Sequence, residues 1–331
     1  MQWHRTLPTV CSVGRASSRR ETPLSQRHHH TTKPPRTPTL VSWELDTFRR
    51  QAFLANAPCC LRRDSKQLPR ACSQWFVHDS NSKFDLSGTD SIPETSELRA
   101  DFWSQYEDVL VPLELSAVAL DGTSSASFHR AQAPLKLLLA YLSTPPSSHS
   151  TPQPRGQSIY LAQCPLPSLP SSLLAAVPTP EIVLQAGKGD VYDSSLWLGR
   201  PPTNTPLHRD PNPNFFIQLA GQKKVRLLPP EVGDAIFERI QEAVQAHSGG
   251  RAIRGEEMMV GPERQLLDAG VWAEAVPADG DIAGDISKAV EMYGQEAELS
   301  LGDALFIPKG WWHSVRGVGQ GITASVNWWF R

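Results

Sequence analysis

His208-Arg209-Asp210 sets an imidazole and a carboxylate two residues apart. On a strand, positions i and i+2 share a face, so both groups aim at one point. Alone the tripeptide is a weak signal, because a surface His beside a surface Asp reads the same way. A second imidazole changes the weighing. His313 follows Gly302-Asp303-Ala304-Leu305-Phe306-Ile307-Pro308, an apolar strand stopping at proline, and then Lys309-Gly310-Trp311-Trp312. A strand that ends, turns and presents a His beside two aromatics is placed to line a barrel mouth. Two imidazoles and one carboxylate on adjacent strands form the facial donor set that holds Fe(II) and leaves one octahedral face open. The plain alternative for His313 is a histidine packed between tryptophans.

Lys223 adds a second kind of chemistry. In Lys223-Lys224-Val225-Arg226-Leu227-Leu228, one strand face reads Lys223, Val225, Leu227 and the other Lys224, Arg226, Leu228. The charged pair Lys224/Arg226 belongs in water, which leaves Lys223 on the apolar, inward face. A buried ammonium is costly unless an anion meets it, and a dicarboxylate would supply that anion. The alternative is a Lys223 that snorkels out of the barrel end.

Short strands must position these groups. Ser158 to Gln163, Asp190 to Leu198, Pro206 to Asp210, Asn214 to Leu219, Lys223 to Leu228, Leu299 to Ile307 and Ile322 to Phe330 read as short strands, mostly separated by turn residues. That pattern predicts an all-β barrel or sandwich. Residues 41–157 read as a mixed, partly helical portion packed on this core. Trp43, Leu45, Phe48, Phe53 and Leu54 fall at helical spacing, Trp75-Phe76-Val77 reads as a short strand, and Phe128 to Leu142 reads as a second helix. Residues 79–96 are polar and turn-rich, and 143–158 form a Ser/Pro/Thr-rich loop. Between Pro230 and Glu298 lies an excursion: a helix at Glu231 to Gln245, a Gly-rich loop at 248–262, then mixed sequence.

Composition narrows the function classes. The chain has 331 residues, enough for one large domain or two small ones, and a formal net charge of −2 that gives no general attraction to nucleic-acid phosphates. No apolar run is long enough to span a bilayer. Five scattered cysteines without a CxxC support neither a disulfide framework nor a zinc ribbon, and Cys59-Cys60 reads as a small buried pair. A reducing, intracellular compartment fits. Residues 1–40 are Arg-rich, Ser-rich and nearly free of acid, as in a mitochondrial transit peptide. A plain disordered tail, leaving the chain in cytosol or nucleus, is the rival reading. His28-His29-His30 is assigned no function.

Two blocks carry a family resemblance. Thr205-Pro206-Leu207-His208-Arg209-Asp210, Asn214-Phe215-Phe216-Ile217-Gln218-Leu219, Gly221-Gln222-Lys223-Lys224 and Leu228-Pro229-Pro230 resemble the JmjC (cupin-like) 2-oxoglutarate oxygenases, especially hydroxylases of the factor-inhibiting-HIF type. Gly302-Asp303 to Ile307-Pro308, Trp311-Trp312-His313 and Gly321-Ile322-Thr323 to Val326-Asn327-Trp328-Trp329 look like the second half of the same family. The resemblance covers roughly 158–230 and 299–331. It is loose over 41–157, and 231–298 carries no matching motif. It implies a jelly-roll (double-stranded β-helix) catalytic core over 158–331 with an insertion at 231–298. It also implies Fe(II), and 2-oxoglutarate and O2 as co-substrates. His208, Asp210 and His313 would be the iron ligands. Lys223, Thr205 and Tyr160 would meet the distal carboxylate of 2-oxoglutarate, and Asn214 and Asn327 would line its pocket. Trp311, Trp312, Trp328 and Trp329 read as packing and rim residues.

The implied reaction is hydroxylation of a C–H bond, expected on a protein or peptide, with decarboxylation of 2-oxoglutarate to succinate and CO2. A lysine demethylase and a tRNA-base hydroxylase share that chemistry. Many demethylases carry H-x-E and reader or zinc modules, whereas this chain has H-x-D and no zinc signature, which favours a hydroxylase. A non-catalytic cupin-like binding protein would lack part of the triad or the lysine. A zinc cupin isomerase would want further His on the first strand.

Overall fold

A computed structural model of the chain describes residues 33–78, 95–117, 127–144, 157–248, 261–273 and 282–331. Residues 1–32 of the transit-like segment, with Cys11 and His28-His29-His30, and most of the loops at 79–96, 143–158 and 248–262 lie outside the described residues, whereas 33–40 are described and end in the strand Thr39–Leu40.

The N-terminal strands are β1 (Thr39–Leu40), β2 (Cys59–Leu61), β3 (Phe76–His78), β4 (Ser96–Leu98), β5 (Leu110–Ala117), β6 (Ser127–Pro134) and β7 (Gln157–Pro165). They are followed by β8 (Val191–Gly199), β9 (Thr203–Arg209), β10 (Asn214–Ala220), β11 (Gln222–Leu228), β12 (Gln295–Leu299), β13 (Ala304–Ile307), β14 (Trp312–Val318) and β15 (Thr323–Phe330). The helices are α1 (Leu45–Phe48), α2 (Ala71–Gln74), α3 (Ala100–Trp103), α4 (Lys136–Ser143), α5 (Ser171–Leu174), α6 (Glu181–Gln185), α7 (Pro230–Ser248), α8 (Pro262–Val271) and α9 (Ile282–Tyr293). Among the described residues no helix is long and apolar enough to cross a membrane.

A nine-stranded sheet in the order β1-β2-β13-β10-β15-β8-β7-β5-β6 faces a four-stranded sheet in the order β12-β11-β14-β9. From β8 to β11, and again from β12 to β15, consecutive strands switch sheets. This is a jelly roll, the fold class expected from the sequence. Three apolar layers hold it. Phe216, Leu305 and Ile307 of the large sheet meet Val225, Leu227, Ala297 and Leu299 of the small one between the sheets. The outer face of the large sheet, with Phe215, Phe306 and Trp328, packs on α1–α4 and their neighbours. The outer face of the small sheet, with Leu207, Leu228 and Trp312, is covered by α7, α8 and α9. Both faces of β10 are therefore covered, and every residue of it is buried. Each fully buried Phe or Leu contributes roughly 1.5–3 kcal/mol, so the sheets are rigid mounts for whatever projects between them.

The helical excursion replaces the turn between β11 and β12, which pair antiparallel from Lys223↔Leu299 to Leu227↔Gln295. It folds back over the outside of that hairpin as three helices. Arg226 is consequently not in water, as its strand face suggested. It lies under the excursion, pairing with Glu296 at 2.8 Å and donating to Val271 O, and its side chain is only 13% exposed.

Three local expectations change. Phe128–Leu142 is not one helix: residues 127–134 form β6, paired along the length of β5, and only 136–143 are helical. Leu138, Leu139 and Leu142 do share the buried face of α4. The sequence 299–307 is two strands broken at Leu301-Gly302-Asp303, where Gly302 takes φ +82°. His313 follows the end of β13 and a turn, as expected, but it is also the second residue of a further strand, β14, that its aromatic and charged residues concealed.

Gly221 is where the chain crosses from β10 in one sheet to β11 in the other. It takes φ +63°, and a Cβ there would fall 2.1 Å from Ile322 O. L residues pay about 1–2 kcal/mol for the left-handed conformation before any clash. Gly221→Ala is therefore expected to destabilise the fold by at least 2 kcal/mol on the order-of-magnitude scale of such backbone effects. A denaturant titration checks it, and an unchanged midpoint would contradict the assigned turn.

Candidate metal centre

β9 and β14 are adjacent and antiparallel, with His208 directly opposite His313. Their rings lie 4.1 Å apart between centroids. Asp210 sits just past the end of β9, two residues after His208, and its carboxylate meets both. Oδ2 is 3.5 Å from His313 Nε2, and Oδ1 is 4.0 Å from His208 Nε2. One ligand atom from each of the three residues falls within 4.8 Å of the others.

The imidazoles are oriented for metal binding through Nε2. His208 Nδ1 lies 2.9 Å from Pro206 O, and His313 Nδ1 lies 3.2 Å from Trp311 O. A carbonyl only accepts, so each Nδ1 must carry the proton, leaving the Nε2 lone pair free. Burial, and then the neighbouring His208, push the His313 imidazole down to about 4, which keeps it neutral near pH 7. For Asp210, burial alone would raise the carboxyl. The imidazoles of His313 and His208 and hydrogen bonds from Trp329 and Asn214 outweigh it and hold the group below the usual carboxylate range. Two imidazoles and one carboxylate, turned toward each other, suit a divalent first-row metal.

Asp210 is itself held. Trp197 Nε1 donates to Asn327 Oδ1 at 2.8 Å, Asn327 Nδ2 donates to Asn214 Oδ1 at 3.1 Å, and Asn214 Nδ2 donates to Asp210 Oδ2 at 3.0 Å. Register explains the chain of contacts: Asn214 of β10 lies opposite Trp329, and Asn327 opposite Phe216 and Ser195.

Thr205 and His208 are three residues apart, yet both line the same cavity. Between His313↔His208 and Val315↔Thr205, β9 spends three steps where β14 spends two. The extra residue is a bulge, and Pro206 within it has no N–H to lose from the ladder.

Lys223 projects into the same cavity and is 2% exposed, so the snorkelling alternative is excluded. Its Nζ donates to Ser325 Oγ at 2.7 Å and to Tyr160 OH at 3.5 Å, and it lies 5.3 Å from the Phe216 ring centre. Among the described residues no carboxylate pairs with it. Burial lowers its pKa to about 7. Burial raises the Tyr160 phenol, so that group stays a neutral O–H.

Of the eight residues singled out from sequence, His208, His313, Lys223, Thr205, Tyr160, Asn214 and Asn327 line this cavity, and Asp210 joins through its contacts with both imidazoles. Trp197, Phe216, Val225, Ile307, Val315 and Trp329 also line it and were not singled out for this site. Trp329 was read as packing or rim, yet it bonds the Asp210 carboxylate. Its period-2 relation to Asn327 was the available signal, as was that of Phe216 to Asn214.

Facing jelly-roll sheets with this candidate centre between them define a cupin-type architecture. Residues 46–331 match the family described as Cupin-like domain, and the chain belongs to it. Several of its relatives are named as JmjC domain-containing proteins or lysine-specific demethylases. They include the Arabidopsis thaliana Lysine-specific demethylase JMJ30, 28% identical over 51% of this chain and 33% of that protein. The Danio rerio Lysine-specific demethylase 8 is 30% identical over 43% of this chain and 29% of that protein. The Drosophila melanogaster Jumonji C domain-containing protein 5 is 24% identical over 88% of this chain and 59% of that protein. The matches thus span from under a third to about three-fifths of these relatives' lengths.

Proposed function

We propose that the chain is an Fe(II)- and 2-oxoglutarate-dependent oxygenase that hydroxylates a C–H bond of a protein side chain. The observation that carries this reading is the shared cavity. His208, Asp210 and His313 converge in it, and Lys223, an ammonium bonded to the Ser325 and Tyr160 hydroxyls with no carboxylate partner among the described residues, projects into it. A three-residue metal site alone fits many activities. A metal site with a buried cation in the same cavity fits one that also binds an anion.

His208 and His313 would hold the iron through Nε2 and Asp210 through its carboxylate. When bound, iron supplies the redox chemistry that couples oxidation of 2-oxoglutarate to succinate and CO2 with oxidation of the C–H bond by O2. The protein's part is placement. Lys223 would pair with the distal carboxylate of 2-oxoglutarate, with the Tyr160 and Thr205 hydroxyls beside it. Trp197, Asn327 and Asn214 hold Asp210 in orientation. Phe216, Val225, Ile307 and Val315 keep water from the reacting groups.

A protein substrate is supported by relatives named lysine-specific demethylases. The same names favour a second reading, oxidation of an N-methyl group with release of formaldehyde. Both are tested on purified full-length chain. Fe(II) and 2-oxoglutarate binding is measured without oxygen, and oxygen is then admitted with a protein extract. The expected result is one oxygen atom gained by a specific peptide, with matching succinate. Formaldehyde and a lost methyl group would move the assignment to demethylation. No binding of either Fe(II) or 2-oxoglutarate would sink the oxygenase reading.

A further inference from the structure

On the outer face of the small sheet, strand alternation turns the neighbours of the candidate ligands toward the helical excursion. His208 and Asp210 face the cavity, so Arg209 between them faces outward. His313 faces inward, so Trp312 and Ser314 on either side of it face outward. Arg209 and Trp312 are direct cross-strand partners. Both donate to one carboxylate oxygen on α7: Arg209 Nη1 to Asp234 Oδ1 at 2.7 Å, and Trp312 Nε1 to the same atom at 2.9 Å. The Arg209 guanidinium lies over the Trp312 ring at 5.4 Å, and Phe237 of α7 packs on that ring at 5.5 Å between centroids. Gly233 lets the helix come this close, since a Cβ there would fall 2.1 Å from the Trp312 indole. Two residues on from Trp312, Ser314 Oγ accepts from Trp272 Nε1 at the end of α8 at 2.7 Å and donates to Thr205 O at 2.8 Å.

We infer that the excursion α7–α9, whose described residues supply none of the three candidate ligands, sets the geometry of the metal centre, with Asp234 as its positioning residue. This rests on reading His208, Asp210 and His313 as metal ligands. The bracket stands where it is needed. The β9–β14 ladder is interrupted at Pro206-Leu207, immediately before His208, and a bulge lets paired strands bend apart. A single oxygen bound to Arg209 and Trp312 fixes the separation of the two strands at the level of all three ligands. Trp272, through Ser314, fixes it on the other side of the bulge. Residues that orient metal ligands typically change metal affinity by about 10–100-fold when removed.

The test uses full-length chain stripped of metal and titrated with Co(II), whose visible absorption reports ligand geometry. Asp234→Ala is expected to weaken Co(II) binding about 10-fold and to alter the absorption bands. Asp234 is 43% exposed, so thermal stability should move little. Asp234→Asn keeps the shape and one acceptor oxygen and should restore part of the affinity; it also carries the test should the alanine variant not fold. Arg239→Ala, on the same helix and paired with Glu242 among the described residues, should leave binding unchanged. Wild-type affinity and spectrum in both folded Asp234 variants would overturn the inference while leaving the metal centre standing. No Co(II) binding by the wild-type chain would instead overturn the metal centre itself.

Discussion

Asp210→Ala is expected to abolish substrate-dependent succinate release and to weaken Fe(II) binding by more than about 100-fold, beyond what loss of an orienting partner produces. Asp210 is the one anionic donor of the three, and its two oxygens reach toward His313 at 3.5 Å and His208 at 4.0 Å. Without it, two imidazoles remain on neighbouring strands, and no carboxylate offsets the charge of a divalent ion. The fold should survive, because the carboxylate contributes no apolar burial and Asn214, its partner, keeps its bond from Asn327. Asp210→Asn separates shape from charge. It fills the same space but offers a weak neutral donor, so it should bind Fe(II) almost as poorly as the alanine variant. The measurement is iron content after anaerobic loading, with succinate release on admitting oxygen and substrate. Normal turnover by either variant would remove Asp210 from the ligand set and with it the oxygenase reading.

A β-rich core and the inward aim of Lys223 were legible from short punctuated strands and period-2 alternation, whereas the jelly roll itself was implied by the family resemblance. Lys223, Val225 and Leu227 fall on one face of β11, and the ammonium is inward as the alternation requires. What escaped reading depends on pairing between distant segments. β6 looks helical locally, since Ala131, Ala133 and the following leucines score as helix formers, yet β5 is alongside and offers a full ladder from Leu110 to Ala117. β14 was missed because Trp312 and Arg316 do not alternate with polar residues in the usual way. Its outward face is covered by α7 and α8 rather than by water, so Trp312 and Ser314 are buried there as well. The same covering explains Arg226: a charged residue on an outer strand face belongs in solvent only if nothing is laid over the sheet. Period-2 alternation puts Trp329 on the same face as Asn327, but its contact with Asp210 also requires β15 and the end of β9 to meet across the barrel, which alternation alone does not show.

The second large effect concerns Lys223. Lys223→Met is expected to cost at least about 30-fold in 2-oxoglutarate affinity, from the roughly 2 kcal/mol or more lost when one partner of a buried charge pair is truncated. It should also leave the co-substrate-free protein as stable as wild type or more so. A buried ammonium without an anion is a cost to the fold, and methionine fills the same volume without it. The wild-type chain should show this as a pH dependence of determinate sign. Burial lowers the Lys223 pKa to about 7, well under its unfolded value. Between that value and the unfolded one, the folded state binds fewer protons than the unfolded state. Stability without co-substrate therefore rises with pH through this window, and the burial cost is fully present below it. Binding of a diacid reverses the preference: the carboxylate favours the ammonium and raises the lysine pKa, so above about pH 7 binding takes up a proton. Affinity should then be flat below pH 7 and fall by up to about tenfold per pH unit above it. Calorimetry in buffers of different ionisation enthalpy measures both the affinity and the proton uptake. The methionine variant should lose the uptake with the affinity. A wild-type affinity that rises with pH, or a Lys223→Met protein that binds 2-oxoglutarate as tightly as wild type, would remove the lysine from the diacid site.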